Sequence, residues 1–215
     1  AVSRAVRTPN RLDTDIAIFC PEPDGFPGVC GPGLLRIGNP DFESEQLLAY
    51  EWGLRLWNAS GLSFDLASFY NDYDQLRSTE AASPQAPLGA FENNNRAQSY
   101  GGELTLNWRP LPDLRLQAFY GLLVIDAQRR RGGTDANGAP TLEGGSPRHQ
   151  AGLRLLTQPA PRWHLDGFLR HVDDLPAYDI KAYTELDLRL AYQASPMLEI
   201  ALAGRNLLHE DHVEF

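Results

Sequence analysis

The sequence contains no run approaching the roughly 18 to 20 consecutive apolar residues that a membrane helix requires, and its mean hydropathy is −0.37. That excludes helical spans and leaves crossing by strands open. Basic residues are also scarce: 19 Lys and Arg against 28 Asp and Glu leave a net charge of −9. Nucleic-acid binding draws most of its affinity from clustered Lys and Arg, so a phosphate-backbone partner is excluded. The one basic run, Arg129-Arg130-Arg131, is followed by Gly132-Gly133 and reads as a solvated loop tip rather than a binding patch. Neither a charged n-region nor an apolar h-region is present, so any targeting signal is expected outside these residues.

Cysteine occurs only twice, and methionine once. Cys20 and Cys30 bracket "CPEPDGFPGVC", whose proline and glycine residues let the ends meet, so a disulfide is expected. Closing a loop of about ten residues contributes on the order of 2–3 kcal/mol in the chain-entropy model. Such a bond implies an oxidising compartment. The rival reading, a two-cysteine metal site, lacks the close Cys-x-x-Cys spacing of a zinc knuckle. With 42% apolar and 22% charged residues, the chain is neither disordered nor a coiled coil.

What is abundant is alternation with period two. From residue 46 onward one parity holds Tyr50, Trp52, Leu54 and Leu56, then Leu62, Phe64, Leu66, Ser68 and Tyr70. Leu104, Leu106 and Trp108 continue it, as do Leu114, Leu116, Ala118 and Tyr120. The rows Ala151–Leu155, Trp163–Leu169, Leu186–Tyr192 and Leu198–Leu202 follow, and none of these alternate positions is charged. The interleaved parity carries Glu51, Arg55, Asp65, Arg115, Arg154, Asp166, Asp187, Arg189 and Glu199. Strands with one apolar and one polar face are therefore predicted. Alternation alone does not say whether the apolar face meets a protein core or lipid.

The connections separate the two. "NASG" at 58–61 is short, 79–96 long, "RPLPD" at 109–113 short and 128–147 long. "QPAPR" at 158–162 is short, 174–181 medium and "ASP" at 194–196 short. Tight turns at one end and long loops at the other are the rhythm of an outer-membrane barrel, which a Greek-key sandwich does not keep. Tyr70, Tyr120 and Tyr192 near segment ends, with Trp57 and Trp108 beside short turns, suit interfacial girdles. The fold class expected is all-β, a fragment of an antiparallel up-and-down transmembrane β-barrel. Its nine strands are predicted near 1–6, 45–57, 62–78, 97–108, 113–127, 147–157, 162–173, 181–193 and 197–207. Because single-chain bacterial barrels have an even strand number, a descending tenth strand is expected after the last.

The blocks "SRAVRTPNR" (3–11), "NPDFESEQLLAYEWGLR" (39–55), "FYNDYDQL" (69–76), "NNNRAQSYGGELTLNW" (93–108), "GGSPRHQAGLRL" (144–155) and "GRNLLHEDHVEF" (204–215) occur in order across the chain. Together they resemble the C-terminal part of a TonB-dependent outer-membrane receptor. The resemblance implies strands 13 to 21 of a 22-stranded barrel, so that residues 1–215 form one barrel domain incomplete at both ends. It further implies an outer-membrane location and lipid contact. A ferric siderophore or corrinoid would be the ligand, and energy would come from TonB through an N-terminal plug and box outside this sequence. No cofactor is implied. Two edges left unpaired would make the isolated chain need detergent. The alternatives are a passive surface-binding or adhesin barrel and, more remotely, an outer-membrane hydrolase.

Candidate residues carry bland readings beside sharper ones. His209, Glu210, Asp211 and His212 have the chemistry of a metal site, yet at the apex of a last extracellular loop they read as solvated polar residues. His171 with Asp173 and Asp174 could form an acid/base set. No serine sits in a nucleophile elbow, so an enzyme is not expected. Arg4 and Arg7 suit an anionic ligand or, as preferred here, lumenal acids such as Glu51. Tyr100-Gly101-Gly102-Glu103 reads as structural. Ligand contacts are expected from the loops at 7–45, 79–96 and 128–147, with "ENNN" at 92–95 and Phe91 as amide and aromatic groups and no residue singled out.

Overall fold

The computed structural model of the chain describes residues 1–19, 35–83 and 86–208. Strand β1 (Val2–Arg7) leads to a single helical turn, α1 (Arg11–Thr14), and a small hairpin, β2 (Ala17–Phe19) and β3 (Leu35–Ile37). Long strands follow: β4 (Glu45–Trp57), β5 (Leu62–Ser83), β6 (Ala86–Leu111) and β7 (Leu114–Arg129). After α2 (Gly138–Gly144) come β8 (His149–Ala160), β9 (Trp163–Val172), a 3-10 turn at Pro176–Tyr178, β10 (Tyr183–Ser195) and β11 (Leu198–Gly204). In the sheet β1 lies beside β4, and from there each strand neighbours the next in sequence through β11, the order expected of a meander. The hairpin lies off this path, with β3 parallel to the start of β6.

The alternation becomes a physical difference between faces. On the apolar parity Trp52, Leu56, Ile200 and Leu202 are between 54% and 78% exposed, although they belong to regular strands. A soluble sandwich would cover such rows with a second sheet; here they form a band suited to lipid. Opposite charges pair across strands on the other parity: Arg154 with Asp166 at 2.5 Å, Arg55 with Asp65, and Arg189 with Glu199.

The chain divides into two compact units, one of residues 1–50, 70–99 and 125–143, the other of 51–69, 100–124 and 144–215. In the second unit β8, β9 and β10 run in antiparallel register over most of their length. The turn at 58–61 is held by the Asn58 side chain, which accepts from the Ser60 and Leu62 amides at 3.1 Å each, while Gly61 supplies the φ of +77°. Aromatic pairs sit at strand ends, including Trp163 and Tyr192 with ring centroids 4.9 Å apart.

Three expectations change. The long loop predicted at 79–96 is largely strand, because β5 runs on to Ser83 and β6 starts at Ala86. Its buried positions include the polar Glu80 and Asn95 beside Phe91, while Arg96 is exposed. A hydrophobicity criterion cannot register such a strand. The connection 128–147 contains α2. The last strand ends at Gly204 rather than 207, since Asn206 takes a φ of 51° and the Leu207 amide turns back to Leu186 O at 3.0 Å.

Candidate ligand-facing site

Two buried carboxylates organise the first unit. Asn10 caps α1 by accepting from the Leu12 and Asp13 amides, and Asp13 Oδ2 reciprocates by accepting from the Asn10 amide at 3.0 Å. The cap turns the Asp13 side chain inward, where it is completely buried. Arg7 Nη1 reaches Asp13 Oδ2 at 2.8 Å, and Arg77 Nη1 reaches Oδ1 at 3.2 Å. Arg7 also donates from Nε to Glu45 Oε2 at 2.6 Å, and the other Glu45 oxygen accepts from the Arg77 amide at 2.9 Å. The guanidiniums lie over aromatic rings, Arg7 over Phe42 at 5.8 Å and Arg77 over Phe91 at 5.1 Å.

These contacts set the charge states. Burial by itself would raise the Asp13 carboxyl, but the Arg7, Asn10 and Arg77 donors outweigh it and hold the group below its ordinary value of 3.8. Arg7, bonded to both Glu45 and Asp13, is a guanidinium cation at any accessible pH.

The second carboxylate is Glu80 on β5, which is only 7% exposed. Its Oε2 accepts from the Thr134 amide, from Thr134 Oγ1 at 2.8 Å and from the Asp135 amide at 3.2 Å. Asp135 accepts from the Thr79 amide at 2.9 Å and the Gly138 amide at 2.9 Å, with Asn95 Nδ2 at 3.5 Å. Glu80 Oε1 and Asn95 Oδ1 are buried with no hydrogen-bond partner. Each unmet acceptor of that kind costs about 1–3 kcal/mol.

A cleft of about 530 Å³ in the same unit is lined by Asp72 and Asp74 of β5, Arg96 and Gln98 of β6, and Asp126 and Gln128 of β7. Arg96 Nη2 donates to Gln128 Oε1 at 2.8 Å, and Arg130 pairs with Asp74. Asp72 and Asp74 continue the parity of Tyr70, whose ring lies 6.2 Å from that of Tyr50. Carboxylates, amides and a guanidinium on one wall suit hydrogen bonding to hydroxyl-rich or phosphorylated groups.

The residues singled out in the sequence distribute unevenly over these features. Arg7 pairs with acids as expected, with Asp13 and Glu45 as its partners, whereas Arg4 donates to the neutral Gln46 Oε1 at 2.8 Å. The amides of "ENNN" serve the backbone: Asn93 accepts from the Glu43 amide at 2.8 Å and donates to Gln75 O at 2.6 Å, where Gln75 adopts a φ of 58°. Phe91 is buried rather than presented at a tip. His171 bonds Thr184 Oγ1 at 2.8 Å through Nδ1 and Asp173 at 3.3 Å through Nε2, and Asp173 also accepts from the His149 amide at 3.1 Å. This is a strand-end clasp with both ring nitrogens engaged. Gly101 is structural, since a Cβ there would lie 1.9 Å from Leu122 O. Cys20 and Cys30, and the cluster His209 to His212, lie outside the described residues. Among the described residues no group of three or more His, Cys, Asp or Glu is placed to hold a metal, and no helix is long and apolar enough to cross a membrane. Asp13, Arg77, Glu80 and Asp135 were not anticipated: Arg77 falls in the strand predicted at 62–78, where alternation names no partner, and the other three lie among ordinary polar residues of predicted loops.

Residues 1–207 match the family described as TonB dependent receptor-like, beta-barrel. The chain belongs to this family. It is thus part of a receptor barrel of the bacterial outer membrane, in agreement with the resemblance carried by its sequence blocks.

Solved structures with the same fold include the copper transporter OprC, with a TM-score of 0.65 and 14% identity over 99% of this chain and 32% of that one. The siderophore receptor PirA from Pseudomonas aeruginosa gives 0.64 and 16% over 98% and 36%. The pyoverdine outer membrane receptor FpvA from Pseudomonas aeruginosa PAO1, bound to pyoverdine, gives 0.59 and 17% over 81% and 27%. At such identities the likeness is one of fold. The receptor barrel described here spans about a third of the length of these structures. No curated protein matches it by sequence.

Proposed function

We propose that the chain is part of an active transporter that captures a scarce nutrient at the cell surface and imports it with energy delivered through TonB. The family match over residues 1–207 carries this reading. The ligand class we favour is a ferric siderophore or a corrinoid; two of the similar structures are a siderophore receptor and a pyoverdine receptor, and a third is a copper transporter. The exposed rows from Trp52 to Leu56 and from Leu198 to Leu202 would contact outer-membrane lipid. The cleft between Asp72 and Gln128, on the Tyr70 parity, would meet the headgroup layer. Ligand would then be met by the first unit's irregular segments, the 8–16 turn and the 130–144 connection, rather than by the regular β5–β6 hairpin. Enzymatic chemistry gains no support from His171, whose ring is tied to strand residues.

Deletion of the encoding gene should abolish growth on one limiting iron or corrinoid source, and complementation should restore it only in a cell with functional TonB. Growth that survives deletion on every such source, or that is restored equally without TonB, would favour the passive surface-binding barrel instead.

A further inference from the structure

Both irregular segments of the first unit are anchored to the same short stretch of β5. The amides of Arg77, Thr79 and Ala81 alternate along the strand and so share one edge. Side chains meet them there: Glu45 Oε1 at 2.9 Å, Asp135 Oδ2 at 2.9 Å and Thr134 Oγ1 at 2.8 Å. Residues 8–16 reach the stretch through Asp13, which accepts from the Arg77 guanidinium at 3.2 Å and shares Arg7 with Glu45. Residues 133–138 reach it through Thr134 and Asp135, whose own amides donate to Glu80. The two anchorages meet at Asn95, which is buried among them. Its Nδ2 donates to Arg77 O at 3.1 Å and lies 3.5 Å from Asp135 Oδ2. An amide nitrogen carries two donors in one fixed plane. One rigid group therefore faces the carbonyl of the residue that holds the first segment and the carboxylate of a residue in the second. Release of either segment leaves a buried donor unmet, and Asn95 can satisfy it only by turning away from the acceptor that remains.

We propose that residues 8–16 and 133–138 form one latch on β5 that opens and closes as a unit, with Asn95 as the coupling side chain. A disturbance at one segment is then felt at the other, although no contact between the segments themselves is needed. The latch belongs to the ligand-free protein, so its failure and the failure of the transport reading are distinguishable.

Hydrogen exchange tests this on native protein and variants purified in detergent from outer membranes, followed on the amides of 8–16 and 133–138 with β8 to β10 as the control. Glu80→Gln weakens the second anchorage alone, yet it should accelerate exchange of 8–16 as well as of 133–138. Asp13→Asn should reciprocate on 133–138 by the same factor, because a coupling free energy acts equally in both directions. That factor should be about fivefold or more. In an Asn95→Ala background both cross-effects should fall to within about twofold, the scatter expected of independent sites. Thr134→Val, which removes the hydroxyl between Glu80 and the Ala81 amide, is the milder variant that serves if Glu80→Gln does not assemble. Acceleration confined to the altered segment would overturn the proposal. Cross-effects of undiminished size in Asn95→Ala would do so too, as would acceleration spread equally over β8 to β10, since a general loosening needs no latch.

Discussion

Arg77 Nη1 donates to Asp13 Oδ1 at 3.2 Å across 64 positions of sequence, onto a carboxylate with no solvent exposure. With Arg7 on the other oxygen, Asp13 joins β1, α1 and β5 through one side chain.

Asp13→Asn should therefore loosen the first unit. Breaking a fully buried ion pair costs about 3–5 kcal/mol. Here Arg7 and Arg77 are 39% and 41% exposed and recover some hydration, so about 2 kcal/mol is expected. Hydrogen exchange of residues 8–16 should accelerate by more than tenfold, while the heat-modifiable barrel band on a gel stays unchanged.

The same carboxylate gives that region an acid limit. A group whose native pKa is lowered contributes its stability above the unfolded value and loses it as pH falls through the native one. Protection of the 8–16 amides should hold down to the ordinary Asp value of 3.8 and decline below it. Exchange corrected for intrinsic rates and followed from pH 6 to pH 2.5 measures this. In Asp13→Asn the profile should be flat, and a decline that begins well above pH 5 would contradict the assignment.

The exposed apolar rows set a different expectation. Leu54 lies on β4 between Tyr50 and Trp57, on the parity assigned to lipid. Leu54→Arg should cost roughly 2–4 kcal/mol if the site lies near the bilayer midplane. Arg55→Leu, on the opposite parity, should cost much less. Urea unfolding in lipid vesicles separates the two, and equal losses would argue against a lipid-facing row.

Two glycines predict opposite outcomes for one chemical change. A Cβ at Gly101 would lie 1.9 Å from the backbone oxygen of Leu122, whereas one at Gly121 would meet nothing within 4 Å. Overpacking costs about 1–3 kcal/mol where side chains can yield, and a backbone oxygen in a paired strand yields little. Gly101→Ala should lower the folded yield in outer membranes several-fold. Gly121→Ala should stay within about 0.5 kcal/mol of native.

Most of the wall was legible before any coordinates. Trp52, Leu54 and Leu56 repeat every second residue, and a strand has no other way to place such a row than on one face. Turn chemistry was equally local, as at Asn58 and Gly61, whose side-chain acceptor and positive φ act within four residues. The β5–β6 extension through 79–96 escaped notice because its buried positions include the polar Glu80 and Asn95, which bury area without hydrophobic contrast.

The sequence by itself determined strand order and the apolar parity, because both follow from spacing between near neighbours, and it carried the receptor family in blocks ordered along the whole chain. Only the tertiary structure decided that Asp13 meets Arg77, that Glu80 grips Thr134 and that Asn93 serves Glu43 and Gln75. Period-two alternation says which way a side chain points and nothing about which distant residue stands opposite. In the irregular segments 8–16 and 130–137 no period exists, so partners are chosen by the packing of the whole first unit.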